Sequence, residues 1–256
     1  MTSSLATLIR DLHRRRGRER RQLAVAEGVR LVEEVLRSKT PVRGVVTSPA
    51  LDTTARGAEL KRVLIALAGK YEEVDDRALT ELASTEHPQG VIVVIEPKVW
   101  TLDDIQLGKD SVTVVLDGVQ DPGNVGTIVR TAFALGAAGV IALPGTVELT
   151  NPKVLRAGMG GGFRLPTVAA SPEELEPWLA RHSVGLVVTA PDGVRLPDAK
   201  LRGRLALVLG NEGAGVSPWA GSRAAHRLGI PIQPGAESLN VAVAAGILLY
   251  GVTRDR

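Results

Sequence analysis

The 256-residue sequence contains no cysteine. Disulfides, zinc–thiolate sites, iron–sulfur clusters and a cysteine nucleophile are therefore excluded. Histidine is scarce. His13, His87, His182 and His226 lie far apart and show no ligand spacing, so no metal site is expected. Aromatic residues make up only 3% of the chain, which leaves few platforms for base stacking. Long apolar runs are missing too. The longest, Val241 to Val252, contains Gly246 and Gly251 and falls short of the roughly 20 residues that a membrane span needs. The N-terminus has no apolar stretch followed by a small-residue cleavage site, so a cytoplasmic location is expected.

What is present is the composition of a globular protein with a substantial core: 44% hydrophobic and 23% charged. The net charge of +3 is concentrated. Residues 10–21, RDLHRRRGRERR, carry +5, which leaves the rest of the chain at −2. Such a patch attracts phosphate backbones through counterion release, without sequence readout. Arg14, Arg15, Arg16, Arg18, Arg20 and Arg21 are the candidate RNA-binding residues. A solvated helix face is the plainer alternative.

Periodicity divides the chain into two α/β stretches. In the first, a helical stripe runs through residues 19–37, and Val42–Val46 reads as a strand. Helices are expected at Glu59–Gly69 and Asp75–Leu82, with a β-branched buried strand at Val91–Ile95. Residues 98–110 lose this pattern and read as a linker, giving expected domains at 1–97 and 111–256. In the second stretch, strands are expected at Ser111–Leu116, Val140–Leu143, Gly185–Thr189, Leu205–Leu209 and Gly229–Ile232. Helices are expected at Val125–Leu135, Pro172–Ala180 and Leu239–Thr253. Strands alternating with helices predict an α/β fold with a mostly parallel sheet covered on both faces, preceded by a smaller α/β domain.

Three glycine-bearing loops carry the candidate chemistry. The first, DGVQDPGN, leads from a strand into a helix. Asn124 suits its N-cap, and Arg130 lies about 9 Å further along the axis. Both can converge at the strand-to-helix junction, or Asn124 merely caps and Arg130 merely pairs with an acid. The loop offers Gly123 and Gly126 but neither the full G-x-G-x-x-G spacing nor an acidic residue about 20 positions on, which argues against a nicotinamide-dependent oxidoreductase. The second loop, Gly210-Asn211-Glu212-Gly213-Ala214-Gly215, has three glycines in six residues. Glu212 could accept hydrogen bonds from a ligand or hold Arg130. The third runs through Ile230, Pro231 and Glu237-Ser238-Leu239-Asn240, where Ser238 and Asn240 suit helix capping.

Together these loops resemble the three motifs of the SpoU/TrmH family of RNA 2′-O-ribose methyltransferases. They are Asn124-x-Gly126-x-x-x-Arg130, then Leu209-Gly210-Asn211-Glu212-Gly213-x-Gly215, then Ile230-Pro231 followed by Glu237-Ser238-Leu239-Asn240. Residues 14–37 and 86–91 resemble the small substrate-binding domain that precedes the catalytic domain in many members. The resemblance implies S-adenosylmethionine as methyl donor, RNA as substrate, a homodimer and a C-terminal trefoil knot. A separate N-terminal domain favours ribosomal RNA over tRNA. Asn124, Arg130, Glu212, Ser238 and Asn240 match catalytic or substrate-ordering positions. Leu209, Gly210, Gly213, Ile230, Gln233, Ser238, Leu239 and Asn240 match the cofactor-binding stretch. The family commonly gives Arg130 the role of base, yet neutralising an arginine at pH 7 costs about 7–9 kcal/mol. Binding a phosphate and orienting the hydroxyl is the role expected for it here. A catalytically silent RNA- or ribosome-binding protein of the same fold is the alternative. The run Gly160-Gly161-Gly162 departs from the serine and bulkier residues usual in the family.

Overall fold

The computed structural model describes residues 4–67 and 69–254. The chain forms two compact units. The first comprises residues 1–98 together with 150–163, and the second residues 99–149 and 164–256.

The first unit begins with α1 (Ser4–Leu12) and α2 (Arg15–Arg21), followed by β1 (Ala24–Glu27) and α3 (Val29–Arg37). The helical stripe expected across residues 19–37 is therefore interrupted. Gln22 leaves α2 in the left-handed conformation, and Ala24–Glu27 pair antiparallel with β4 (Val91–Ile95). All four β1 residues are buried, so tertiary pairing overrides local helical periodicity. Between them come β2 (Val42–Thr47), α4 (Ala55–Leu67), β3 (Tyr71–Glu73) and α5 (Asp76–Leu82). Asp75 caps α5 by accepting from Ala78 N. The expected end of the preceding helix at Gly69 runs through residue 68, which lies outside the described residues. The sheet order is β1-β4-β2-β3, with β2 and β3 parallel and the other pairs antiparallel. One face packs on α3 and α4, and the other on α1 and α5.

The second unit contains β5 (Val112–Asp117), α6 (Pro122–Ala134) and β6 (Gly139–Ala142). The chain then makes an excursion. The short helix α7 (Pro152–Gly158) and the turn after it belong to the first unit, where Leu155 and Phe163 join the α3–α4 core. The first glycine of the run has a physical reason in this segment. Gly160 adopts φ +79°, and a Cβ there would stand 2.5 Å from the Cβ of Glu34 on α3. Only a residue without a side chain fits that approach.

The chain continues with β7 (Thr167–Ala169), α8 (Pro172–His182), β8 (Gly185–Arg195), β9 (Leu205–Gly210), α9 (Pro218–Arg223), β10 (His226–Gly229) and α10 (Val241–Thr253). All six strands are parallel in the order β10-β8-β9-β5-β6-β7. Alternate strand residues point to opposite faces. Val115, Ile141, Val188 and Val208 pack with Leu175, Trp178 and Leu179 of α8, while α10 lies against α6, β5 and β9. The last strand ends three residues earlier than expected, because Pro231 and Pro234 supply no N–H to extend a ladder.

The stretch read as a linker is ordered. Residues 102–104 form a 3-10 turn closed by a Thr101/Asp104 capping box, Ile105 is buried, and Trp100, Leu102 and Leu107 pack on the α8 side of the second core. Among the described residues no helix is long and apolar enough to cross a membrane, and no group of metal-ligating side chains is assembled.

Candidate active site

In an open parallel sheet the ligand crevice forms at the carboxyl ends of the strands, where the strand order reverses. Here the chain proceeds outward from β5 through β6 to β7, then returns to place β9 on the other side of β5. The loops after β5 and β9 therefore meet at the switch point. The loop after β10 joins them ahead of α10.

Asn124 connects all three. Its Nδ2 donates to Glu212 Oε1 at 3.1 Å, and its Oδ1 accepts from Asn240 Nδ2 at 3.0 Å. It is free to do so because it does not cap α6, as the sequence suggested. Asp121 caps instead, accepting the Asn124 N–H at 2.7 Å, with Pro122 in the first turn. Asn240 does cap α10: its Oδ1 accepts from Ala242 N and Val243 N while its Nδ2 reaches Asn124.

Glu212 is held by Asn124, not by Arg130. Burial pushes its carboxyl up. The backbone N–H groups of Glu212, Gln120 and Asp121 and the Asn124 amide outweigh that and hold it below its ordinary 4.5. It is therefore an anion at neutral pH and a weak base. Arg130 is exposed on α6 and has no partner among the described residues, so its five donors remain available. Ser238 is exposed and makes no side-chain bond among the described residues.

Several ordering residues have no assigned role in the sequence reading. Asn211 donates to Gly118 O at 2.8 Å and accepts from Gly213 N and Ala214 N, which folds the second loop onto the first. The buried Asp117 accepts from Ser217 N at 2.6 Å and ties that loop's exit to the end of β5. Thr146 bridges Leu116 O and Gly118 N. An asparagine directly after Gly210, in a loop with three glycines in six residues, is the one signal that could have pointed to Asn211. Gly210 is obligatory: a Cβ there would lie 2.3 Å from the Gly215 carbonyl carbon. Leu209 is buried at the end of β9, whereas Gly213 and Gln233 are exposed.

Residues 231–240 are all exposed, Ile232 and Leu239 among them. Within residues 230–239 a single backbone bond is made among the described residues, Ala236 N to Gln233 O. Unpaired N–H and C=O groups beside apolar side chains suit a purine ring, which needs both donors and acceptors at its edge.

The arginine patch divides. Arg18 is 4% exposed, and its guanidinium donates to Leu12 O and His13 O, capping the end of α1. That geometry removes it from the phosphate-facing set. Arg20 and Arg21 pair with Asp11, and Arg15 pairs with Glu19. Arg14 and Arg16 are exposed, and their side chains have no partner among the described residues.

Comparison with known proteins places these loops. Residues 111–250, more than half of the chain, match the SpoU rRNA Methylase family, and residues 7–93 match the MRM3-like substrate binding domain. The chain is 31% identical over 242 residues to the 23S rRNA (guanosine(2553)-2′-O)-methyltransferase of Bacillus subtilis, covering 94% of this chain and 92% of that protein. It is 33% identical over 241 residues to the 23S rRNA (uridine(2479)-2′-O)-methyltransferase of Streptomyces viridochromogenes, covering 90% and 82%. The crystal structure of the SpoU methyltransferase AviRb from Streptomyces viridochromogenes in complex with AdoMet superposes with a TM-score of 0.90 at 30% identity, covering 99% of this chain and 98% of that one. With both units matched and the three loops joined through Asn124, the chain belongs to the SpoU rRNA methylase family.

Proposed function

We propose that the protein transfers a methyl group from S-adenosylmethionine to a ribose 2′-hydroxyl of ribosomal RNA. The observation that carries this reading is the hydrogen-bonded chain Glu212–Asn124–Asn240, which brings together residues from three separate loops at the switch point. Ribosomal RNA is favoured over tRNA because the two 23S rRNA enzymes match this chain across both units.

The backbone of residues 210–215 and 230–240, with Ile232 and Leu239, would hold the cofactor, whose sulfonium supplies an electrophilic methyl group. The protein's task is then alignment. Holding two reactants in line contributes several kcal/mol to the rate, on the order seen for oriented intramolecular reactions. Arg130, unpaired and permanently charged, grips the phosphate beside the target ribose and orients the hydroxyl. Glu212 keeps Asn124 in place, and Asn124 in turn fixes Asn240 and the start of α10.

The same family reading implies a trefoil knot around the 210–240 loops and a cytoplasmic place of work beside the ribosome. It also implies a homodimer. An exposed stripe on α10 supports that: Val243, Ile247 and Tyr250 recur at helical spacing, and Phe133 is exposed on the neighbouring α6.

The deciding experiment is tritium transfer from labelled S-adenosylmethionine to protein-free 23S rRNA and to bulk tRNA, followed by mapping of ribose methylation. Label in the rRNA at a 2′-oxygen is the expected result. Label in tRNA alone overturns the substrate assignment, and no label in either overturns the activity. Arg130→Lys and Arg130→Ala, compared across pH, test the orienting role. A Lys variant whose rate follows a lysine-like pKa would show that the side chain at this position takes the proton.

A further inference from the structure

Glu27 lies at the end of β1 in the first unit and is 5% exposed. A buried carboxylate is costly unless donors surround it. Its partners here come from one loop, residues 83–90. Ser84 donates twice to Oε2, from its backbone N–H at 2.8 Å and its hydroxyl at 2.7 Å, and the Thr85 hydroxyl donates to Oε1. No cation among the described residues forms an ion pair with Glu27.

The nearest guanidinium is held one hydroxyl away. Arg156 of α7 donates through Nη1 to Ser84 Oγ at 3.0 Å, and the Ser84 hydroxyl in turn donates to Glu27 Oε2. This pair of hydrogen bonds orients Arg156 and leaves its other donors unused by the described residues. The same loop is tied on its far side, where Gln89 Oε1 accepts the Val29 N–H at 2.9 Å at the start of α3. His87 and Gln89 are exposed on this loop, and Arg30 is exposed next to Val29. The loop is thus pinned by a buried anion on one side and by Val29 on the other, with His87 and Gln89 exposed upon it.

We propose that Arg156 forms an RNA-backbone contact on the first unit, positioned by Glu27 through Ser84. The proposal rests on RNA being the substrate. Arg156 falls within the stretch matched by the methylase family, yet the fold places it with the residues matched by the substrate-binding domain. A guanidinium with free donors, steered by a hydroxyl instead of neutralised by an acid, is suited to a phosphodiester. Glu86 is the one formally charged side chain of the loop itself, so the contact acts by geometry, and residues 10–21 supply the bulk attraction.

The test uses the full chain, protein-free 23S rRNA as probe, and three variants. Binding is measured over a range of salt concentrations, KM and kcat by methyl transfer, and S-adenosylmethionine affinity by calorimetry. Arg156→Ala is expected to raise the RNA KM about tenfold, the equivalent of one charge-assisted hydrogen bond, and to reduce the salt slope by about one. kcat and cofactor affinity stay unchanged. Arg156→Lys restores the slope but not the KM. Ser84→Ala keeps every charge, so it raises KM and leaves the slope alone. If Arg156→Ala does not fold, these two conservative variants decide the matter. Wild-type KM and slope in Arg156→Ala, or unchanged KM in both conservative variants, overturn the proposal. A fall in cofactor affinity alongside RNA affinity does so too. Absence of methyl transfer by the unmodified chain is a failure of the broader function, and the binding arm then still tests the contact.

Discussion

Asn240 donates its side-chain amide to Asn124 Oδ1 at 3.0 Å across 116 residues of sequence. The side-chain oxygen of the same Asn240 caps the last helix, so the bond links the start of α10 to the start of α6. The end of the third loop is tied down by a residue that also caps a helix.

That bond is measurable. Asn124→Ala and Asn240→Ala are each expected to lower stability. Combined in a double-mutant cycle they should show a coupling of about 0.5–1.5 kcal/mol. Each single variant should also reduce methyl transfer about a hundredfold, as expected when a positioned group is lost. Additive effects in denaturant melts would show that the bond is absent in solution.

Glu212 gives a pH signature with a definite sign. A carboxyl held below its ordinary 4.5 stabilises the fold above that pH and loses the contribution as pH falls through the lowered value. The difference in Tm between the native chain and Glu212→Gln should therefore be constant from neutral pH down to about 5 and shrink below it. A difference that grew on acidification would contradict the assignment.

Gly210→Ala and Gly213→Ala should differ sharply. The new Cβ meets the Gly215 carbonyl carbon at 2.3 Å in the first case, and nothing nearer than the Asn211 side chain at 3.7 Å in the second. The first should cost about 1–3 kcal/mol and at least a tenfold loss in S-adenosylmethionine affinity, while the second is tolerated. Calorimetric titration of both variants separates them.

The arginines of the N-terminal patch should fall into two classes. Replacing Arg14 and Arg16 by alanine should reduce the salt slope of rRNA binding by about two and leave the melting temperature alone. Arg18→Ala should instead cost about 2 kcal/mol, because it uncaps α1. Equal salt slopes for all three would refute the division.

The α10 stripe predicts a dimer whose mass by sedimentation equilibrium is halved in Ile247→Glu, with a parallel loss of methyl transfer. A native chain that sediments as a monomer at micromolar concentration would remove the dimer from the proposal.

The three motif loops and most strands were legible because β-branched runs and Pro–Gly turns act locally. So was the parallel sheet. What escaped depended on distant partners. Ala24–Glu27 sit inside a helical pattern and become a strand only because β4 lies beside them. Asp121 displaced Asn124 as helix cap, and the side chain so released found two partners 88 and 116 residues away, which no window of sequence can display. Arg18 looked like its neighbours in the patch until the end of α1 claimed it.

The excursion of residues 150–163 has an outcome for how this protein can be taken apart. The chain passes between its two units three times, so no single cut releases both of them whole. A fragment ending at Lys98 would leave holes where Leu155 and Phe163 pack, and one beginning at Val99 would carry those two side chains with nothing of the α3–α4 core to cover them. Neither half is a self-sufficient module. A gene fusion joined end to end would separate cleanly at its seam, but in this chain the two units are interleaved in sequence.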